Sequence, residues 1–130
     1  MFLTISINTR DRSEMIDITS KVEEELKRSG LKDGVCFLFV PHTTAGITIN
    51  ENADSSVVTD MQAMFNKLVP WEGSYRHLEG NSAAHIKSSL IGNSVIVLVE
   101  SGHLKLGTWQ GIFFCEFDGP RSRKVYIKLQ

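Results

Sequence analysis

The chain has 130 residues, of which 42% are hydrophobic and 22% charged, and its formal net charge is −1. This length predicts a single domain whose core is stable without disulfides or structural metals. Because no basic excess is available to neutralise phosphates, the composition argues against a general nucleic-acid or membrane-surface role. The local basic group of Arg121, Arg123 and Lys124 is interpreted as a solvated turn, with an anion contact as the alternative.

The first ten residues and the cysteines together predict a cytoplasmic protein. MFLTISINTR alternates and lacks the basic start and apolar core of a signal peptide. No apolar run approaches the ~18 residues of a membrane span. Cys36 and Cys115 lie in apolar, strand-like runs without CxxC spacing, so they are expected to be buried free thiols in a reducing compartment.

The first part of the chain is predicted to form two strands, a helix and two more strands. Residues 2–8 alternate like a half-buried strand, and a second short strand follows at 14–18. A capping-box pattern at 20–23 predicts a helix that ends at Gly30. The continuous apolar run 35–40 predicts a strand covered on both faces. Residues 46–50 alternate again.

The second part begins with a helix capped by Asp54 or Ser55, whose apolar stripe is interpreted as core. Residues 70–80 form a polar and aromatic loop, a kind of segment that is often functional. A short helix from Asn81 or Ser82 to Ile91 follows. Strands are then predicted at 95–99, 104–117 and 125–129, with an interruption at Gly107. Short turns between neighbouring strands favour antiparallel pairing, so the fold class is α+β, with curled antiparallel sheets and about three helices outside.

Polar residues near strand and helix ends are the candidates for a site. His42 follows Pro41 at the end of a buried strand, as either a site residue or a structural histidine. The oxygen-rich run 50–54 suits Mg²⁺ or helix capping. His85 lies on a polar stripe with Asn81, whose helix start suits an anion or is a cap alone. Buried Gln110 and Glu116 would need partners, in the protein or in a ligand.

Three long motifs resemble the YjbQ-like family, whose members are often labelled secondary thiamine-phosphate synthase. They are HTTAGITINENAD (42–54), YRHLEGNSAAHIKSSLIG (75–92) and LGTWQGIFFCEFDGPR (106–121). The resemblance covers nearly the whole chain and implies one YjbQ-like domain over residues 1–130. It implies jelly-roll-like sheets, a homotrimer, and motif residues gathered in one pocket near a subunit boundary.

The resemblance also implies roles for individual residues. Those expected to be catalytic are His42, His77, His85 and Glu79. Those expected to bind substrate are Thr43, Thr44, Asn50, Asn81, Trp109, Gln110 and Arg121. The expected metal ligands are Glu51 and Asp54 for Mg²⁺, or His42, His77 and His85 for a transition metal such as Zn²⁺.

The implied reaction joins hydroxymethylpyrimidine diphosphate to hydroxyethylthiazole phosphate and releases pyrophosphate. Mg²⁺ would neutralise the departing diphosphate, and the partner would be a phosphorylated small molecule rather than a nucleic acid or a membrane. A histidine-metal hydrolase and a non-catalytic trimeric small-anion-binding protein are the alternatives.

Overall fold

The computed structural model describes residues 2–130, and within them eight strands and three helices. The strands are β1 (Phe2–Asn8), β2 (Glu14–Asp17), β3 (Gly34–Phe39), β4 (Ala45–Glu51), β5 (Ser94–Glu100), β6 (His103–Leu104), β7 (Gln110–Glu116) and β8 (Ser122–Leu129). The helices are α1 (Thr19–Ser29), α2 (Ser55–Leu68) and α3 (Ser82–Ile91).

The strands form two antiparallel sheets. The larger sheet has the order β1-β8-β3-β5-β6, and the smaller has the order β2-β7-β4. All pairs are antiparallel, and one sheet is curled into a half-barrel. The predicted α+β class is therefore confirmed.

The main core fills the space between the two sheets. Alternate residues of the larger sheet, such as Leu38 and Ile127, meet Ile112 and Phe114 of β7, and α1 adds Val22 and Leu26. The opposite face of β7 packs against α2 and α3 in a second cluster that includes Phe113, Cys115 and Phe117. Strand β7 is therefore covered on both faces, as its apolar middle predicts.

Both cysteines are free and buried, as the sequence predicts. Burial raises the pKa of the Cys36 thiol to about 11 and that of Cys115 to about 12. Of the helices among residues 2–130, none combines the length and apolarity needed to cross a bilayer.

Three local expectations are wrong. The run 35–40 is not covered on both faces, because the outward face of β3 and β5 carries partly exposed Phe37 and Ile96 with no helix over them. The α2 stripe contains no fully buried residue, since the helix lies at the periphery over the small second cluster. The capping box predicted at 20–23 does not form. Helix α1 begins at Thr19, and its N-cap, Ile18, makes no side-chain cap hydrogen bond.

Candidate functional site

A cavity of about 750 Å³ lies where the ends of both sheets meet the start of α3. Pairing of Phe39 with Tyr126 brings the chain after β3 beside the beginning of β8. Pairing of Ala45 with Glu116 brings the segment before β4 beside the end of β7. The lining residues are Phe39, Val40, Pro41, His42, Thr43, Thr44, His77, Glu79, Asn81, His85, Asn93, Arg121 and Arg123. We refer to this cavity as the histidine pocket.

Tight packing of α3 on β4 positions His85 at the pocket. Ser88 donates a hydrogen bond to the carbonyl oxygen of Ala45 at 2.7 Å. A Cβ atom added to Gly46 would lie only 2.6 Å from the carbonyl oxygen of Gly92, so no larger residue permits this approach. His85, one turn before Ser88, is thereby held against the segment that carries His42.

The backbone of β8 fixes the tautomer of His42. The Lys124 N–H donates to His42 Nε2 at 2.9 Å, so Nε2 carries no proton and the neutral ring is protonated on Nδ1. Burial, followed by the positive charge of Arg123, lowers the pKa of His42 despite the opposing charge of Glu116. At neutral pH, His42 is therefore a neutral hydrogen-bond donor.

His77, His85 and Glu79 form one side of the pocket. The rings of His77 and His85 meet edge to face with centroids 5.5 Å apart. Glu79 Oε1 lies 4.0 Å from His77 Nε2, and Oε2 lies 4.0 Å from the guanidinium of Arg121. Both side chains of the His77–Glu79 pair are about half exposed, which leaves them open to a ligand.

Asn81 occupies the N-cap position of α3, but its side chain does not cap the helix. Its amide Nδ2 instead donates to Glu79 at 3.0 Å and to Asp118 at 2.8 Å. Its Oδ1 is buried without a hydrogen-bond partner among the described residues. Since an unpaired buried acceptor is costly, this oxygen is poised to accept a hydrogen bond from a ligand.

A buried ion pair lies behind the pocket. The Arg123 guanidinium donates to both carboxylate oxygens of Glu116, at 2.8 Å from Nε to Oε1, and to the Thr44 hydroxyl at 2.8 Å. Burial acts to raise the pKa of Glu116, but hydrogen bonds from Arg123, the Asp118 N–H and Thr9 outweigh it and hold this pKa below its usual value. Arg123 is thus no solvated turn residue, and Glu116 has its partners within the protein.

The other candidate residues lie at the far end of the smaller sheet. Asn50 and Glu51 end β4, paired with Gly111 and Gln110 across the sheet, and the seven residues of β4 span roughly 20 Å. Gln110 accepts a hydrogen bond from the Gly107 N–H. Trp109 is exposed beside them. Within one chain, the motif residues therefore form two groups rather than one pocket.

Neither expected ligand set forms a metal site within one chain. Asp54 caps α2 by accepting from the Ser56 N–H at 2.9 Å, far from the histidine pocket. His42 could coordinate through Nε2 only by giving up the bond from Lys124. In the described part of the chain, no three or more His, Cys, Asp or Glu side chains are grouped to hold a metal ion.

Two polar residues of the pocket lining were not predicted as site residues: Asn93, and Arg123, for which an anion contact was only the alternative to a solvated turn. Arg123 could have been found by extending the inward alternation of Val125, Ile127 and Leu129 back by two residues. Asn93 follows the helix stop at Gly92 and carries no comparable signal.

Comparison with known proteins agrees with this fold and places the chain in a class of small α+β proteins named by family alone. The family model described as UPF0047 protein YjbQ-like matches residues 3–130, and the chain belongs to this family. It is 57% identical to UPF0047 protein YugU of Bacillus subtilis, over 99% of this chain and 98% of that protein. UPF0047 protein MJ1081 of Methanocaldococcus jannaschii is 51% identical, over 99% of this chain and 94% of that protein.

A solved structure shares the whole architecture. The uncharacterized conserved YjbQ/UPF0047 protein of Clostridium acetobutylicum superposes with a TM-score of 0.96 at 52% identity, covering 98% of this chain and 99% of that one. The names of these relatives state a family and no reaction. An activity can therefore be inferred only from the histidine pocket.

Proposed function

We propose that the histidine pocket binds a phosphorylated small molecule and carries the thiamine-phosphate synthase activity that the family resemblance implies. The observation that carries this proposal is one cavity lined by neutral, donor-type His42, two further histidines and the exposed guanidinium of Arg121. These groups suit a substrate whose diphosphate group departs as pyrophosphate and a second substrate that keeps its phosphate.

The reaction requires stabilisation of the negative charge on the departing diphosphate more than it requires a covalent bond to the protein. The bond between the pyrimidine methylene carbon and the diphosphate oxygen breaks, and the electron pair departs with the diphosphate. The thiazole nitrogen then forms the new bond to that carbon. Arg121, the exposed Thr43 hydroxyl and the Nδ1–H of His42 are donors suited to the growing negative charge. His77 and His85 can pass a proton to the leaving group.

Mg²⁺ in this proposal enters with the diphosphate. This ion is commonly held by one or two protein carboxylates together with substrate phosphates. Glu79 is the carboxylate at the pocket that is open to such a contact. The cationic supply is small, because Arg121 is paired with Asp118 and Arg123 with Glu116. A modest rate is expected for that reason.

The test is an assay with both precursors and Mg²⁺, comparing the wild type with Arg121→Gln and His42→Gln. His103→Asn is the matched control, because His103 is an exposed histidine outside the pocket. Loss of product in the first two variants, and not in the control, is expected. Saturable binding of either precursor without any product would instead establish the non-catalytic binding protein.

The alternative histidine-metal hydrolase has one supporting observation, the ring contact between His77 and His85, although the described residues of one chain supply no third ligand grouped with them. Elemental analysis after dialysis tests it. A stoichiometric transition metal that is lost in His85→Ala and kept in His103→Ala would establish that centre and replace the synthase mechanism.

A homotrimer in the cytoplasm completes the proposal. Support for association comes from the outward face of the larger sheet, which exposes Phe37, Phe39, Ile96 and Leu98. Contiguous apolar surface of this kind commonly marks a protein interface. Phe39 also lines the histidine pocket, so a neighbouring subunit on this face would border the site. Such a subunit could also supply the Trp109 and Glu51 end of its own sheet.

A further inference from the structure

A second cavity, of about 520 Å³, lies beside α3 away from the histidine pocket. It is lined by Arg12, Ser13, Asn66, Pro70, Trp71, Glu72 and Lys87. None of these residues lines the histidine pocket. Lys87 is two residues after His85 on α3, so the two side chains leave the helix in nearly opposite directions. The two cavities therefore present different faces of one helix.

Lys87 is an unusual residue for this position. It is only 3% exposed, although lysine is rarely buried without an acidic partner. Its Nζ donates to the neutral amide oxygen of Asn66 at 2.6 Å, the one hydrogen bond it makes to residues 2–130. An ammonium group has three donors, so two remain for another acceptor.

The charged group that most affects the Lys87 ammonium is also positive. Burial, followed by the positive charge of Arg12, lowers the pKa of Lys87. The Arg12 guanidinium is held over the Trp71 ring, 4.2 Å from its centroid. Glu72 also borders the cavity, but no ion pair within residues 2–130 joins a carboxylate to Arg12 or Lys87.

We propose that this cavity binds a small oxyanion, the phosphate or carboxylate group of a metabolite, between Lys87 and Arg12. An oxyanion there would accept the two spare Lys87 donors and the fork of Arg12 in charge-assisted hydrogen bonds. It would also offset the unfavourable effect of the Arg12 charge on Lys87, since no carboxylate forms an ion pair with either residue among residues 2–130. Trp71 holds the guanidinium in place from below, so that Arg12 is oriented before the ligand arrives.

The experiment uses Trp71 as the reporter. The chain has two tryptophans, so Trp109→Phe leaves the indole of Trp71 as its sole fluorophore of that type. This variant is titrated with inorganic phosphate and, separately, with succinate at constant ionic strength. A saturable fluorescence change with at least one anion is expected, and the stronger response identifies the phosphate or the carboxylate class.

Two further substitutions in the same background locate the response. Lys87→Met keeps the aliphatic stem and Arg12→Gln keeps a polar side chain, and each is expected to weaken binding by about tenfold or more. Arg10→Gln, another exposed arginine two residues away, is the control and should bind like its parent. If Lys87→Met does not fold, Arg12→Gln decides alone, because Arg12 is exposed. No saturable change with either anion, or a change that Arg12→Gln leaves intact, overturns the proposal.

Discussion

His42 reaches the pocket with its protonation state already set by the backbone of a neighbouring strand. Because Nε2 accepts from the Lys124 N–H, protonating the ring would break that bond as well as place a charge near Arg123. The lowered pKa means that the unfolded chain binds more protons than the folded chain just below the ordinary value of 6.5.

We therefore expect the His42 contribution to stability to be complete above pH 6.5 and to fall as the pH drops below it. His42→Gln keeps an acceptor for the Lys124 N–H but cannot titrate. Urea midpoints measured from about pH 7.5 to 5 should fall more steeply for the wild type than for this variant. Parallel curves would contradict the depressed pKa, since the other three histidines are common to both proteins.

The buried ion pair predicts a strongly non-additive mutant cycle. Arg123→Leu leaves the Glu116 carboxylate, which is fully buried, without its partner, at a cost of about 3–5 kcal/mol. The double variant Arg123→Leu/Glu116→Met removes both charges and is expected to be more stable than Arg123→Leu alone. Denaturant unfolding of the two single variants and the double variant measures this. Additive losses would show that the pair makes no coupled contribution.

For single residues, the sequence predicts where polar side chains lie but not which groups form hydrogen bonds with them. Glu116 was expected to need a partner, and the partner is Arg123, seven residues later on the next strand of the chain. The hydrogen bond from Lys124 to His42 joins residues 82 apart and depends on the register of β3 against β8. Register of that kind follows from packing that one strand's own pattern does not contain.

At the start of α2, one residue fitted two predictions made from the sequence, and its hydrogen bond distinguishes between them. Asp54 was a candidate both for capping and for Mg²⁺, and its side chain accepts from the Ser56 N–H. That bond holds the pKa of Asp54 below its usual value. The structure therefore assigns Asp54 the cap of α2.

Asp54→Ala should lower the stability of the protein and fray the first turn of α2, whereas Asp54→Asn should retain most of both because it keeps the acceptor. Urea unfolding and amide exchange at residues 55–58 would measure this. If Asp54 is a cap and not a metal ligand, Asp54→Asn should also respond to Mg²⁺ like the wild type. A higher Mg²⁺ requirement in that variant would restore Asp54 as a ligand.

Prediction of the strands succeeds where the hydrophobic period is clear. Prediction of burial fails where burial depends on elements that are distant in the sequence. The strands at 2–8 and 14–18 appear as Phe2–Asn8 and Glu14–Asp17. The apolar run at 35–40 is also a strand, but Phe37 and Phe39 face outward. The sequence shows that these side chains are apolar, but it does not show that the chain covers them only in part, with Tyr126 stacked on Phe39.

For the whole molecule, that uncovered face leads to a prediction about assembly. Leu98→Lys places a charge at the centre of the outward face without touching the inter-sheet core. If the proposed trimer forms through this face, Leu98→Lys should reduce the molar mass measured by light scattering from that of the wild type to that of smaller species. Ser20→Lys, on the exposed surface of α1, is the control and should leave the mass unchanged. A trimer that survives Leu98→Lys would move the interface elsewhere.

The division of the motif residues into two groups belongs to this scale as well. The family resemblance implied that His42 and Glu51 share one pocket near a subunit boundary, but within one chain β4 runs between them. An extended strand is the arrangement that puts such neighbours furthest apart. One chain therefore brings the His42 end of the motif into the histidine pocket, and a shared pocket with the Glu51 end stays a prediction that requires a neighbouring subunit.

The pairing of β1 with β8 has a consequence for the newly made chain. Phe2–Asn8 can find its partner only after Ser122–Leu129 has been synthesised, and Thr9 reaches Glu116 across 107 residues. The central strand of the smaller sheet, β7, is also made late. Both sheets therefore close only when segments about a hundred residues apart have met, and folding is expected to be slow, as is usual for long-range β pairing.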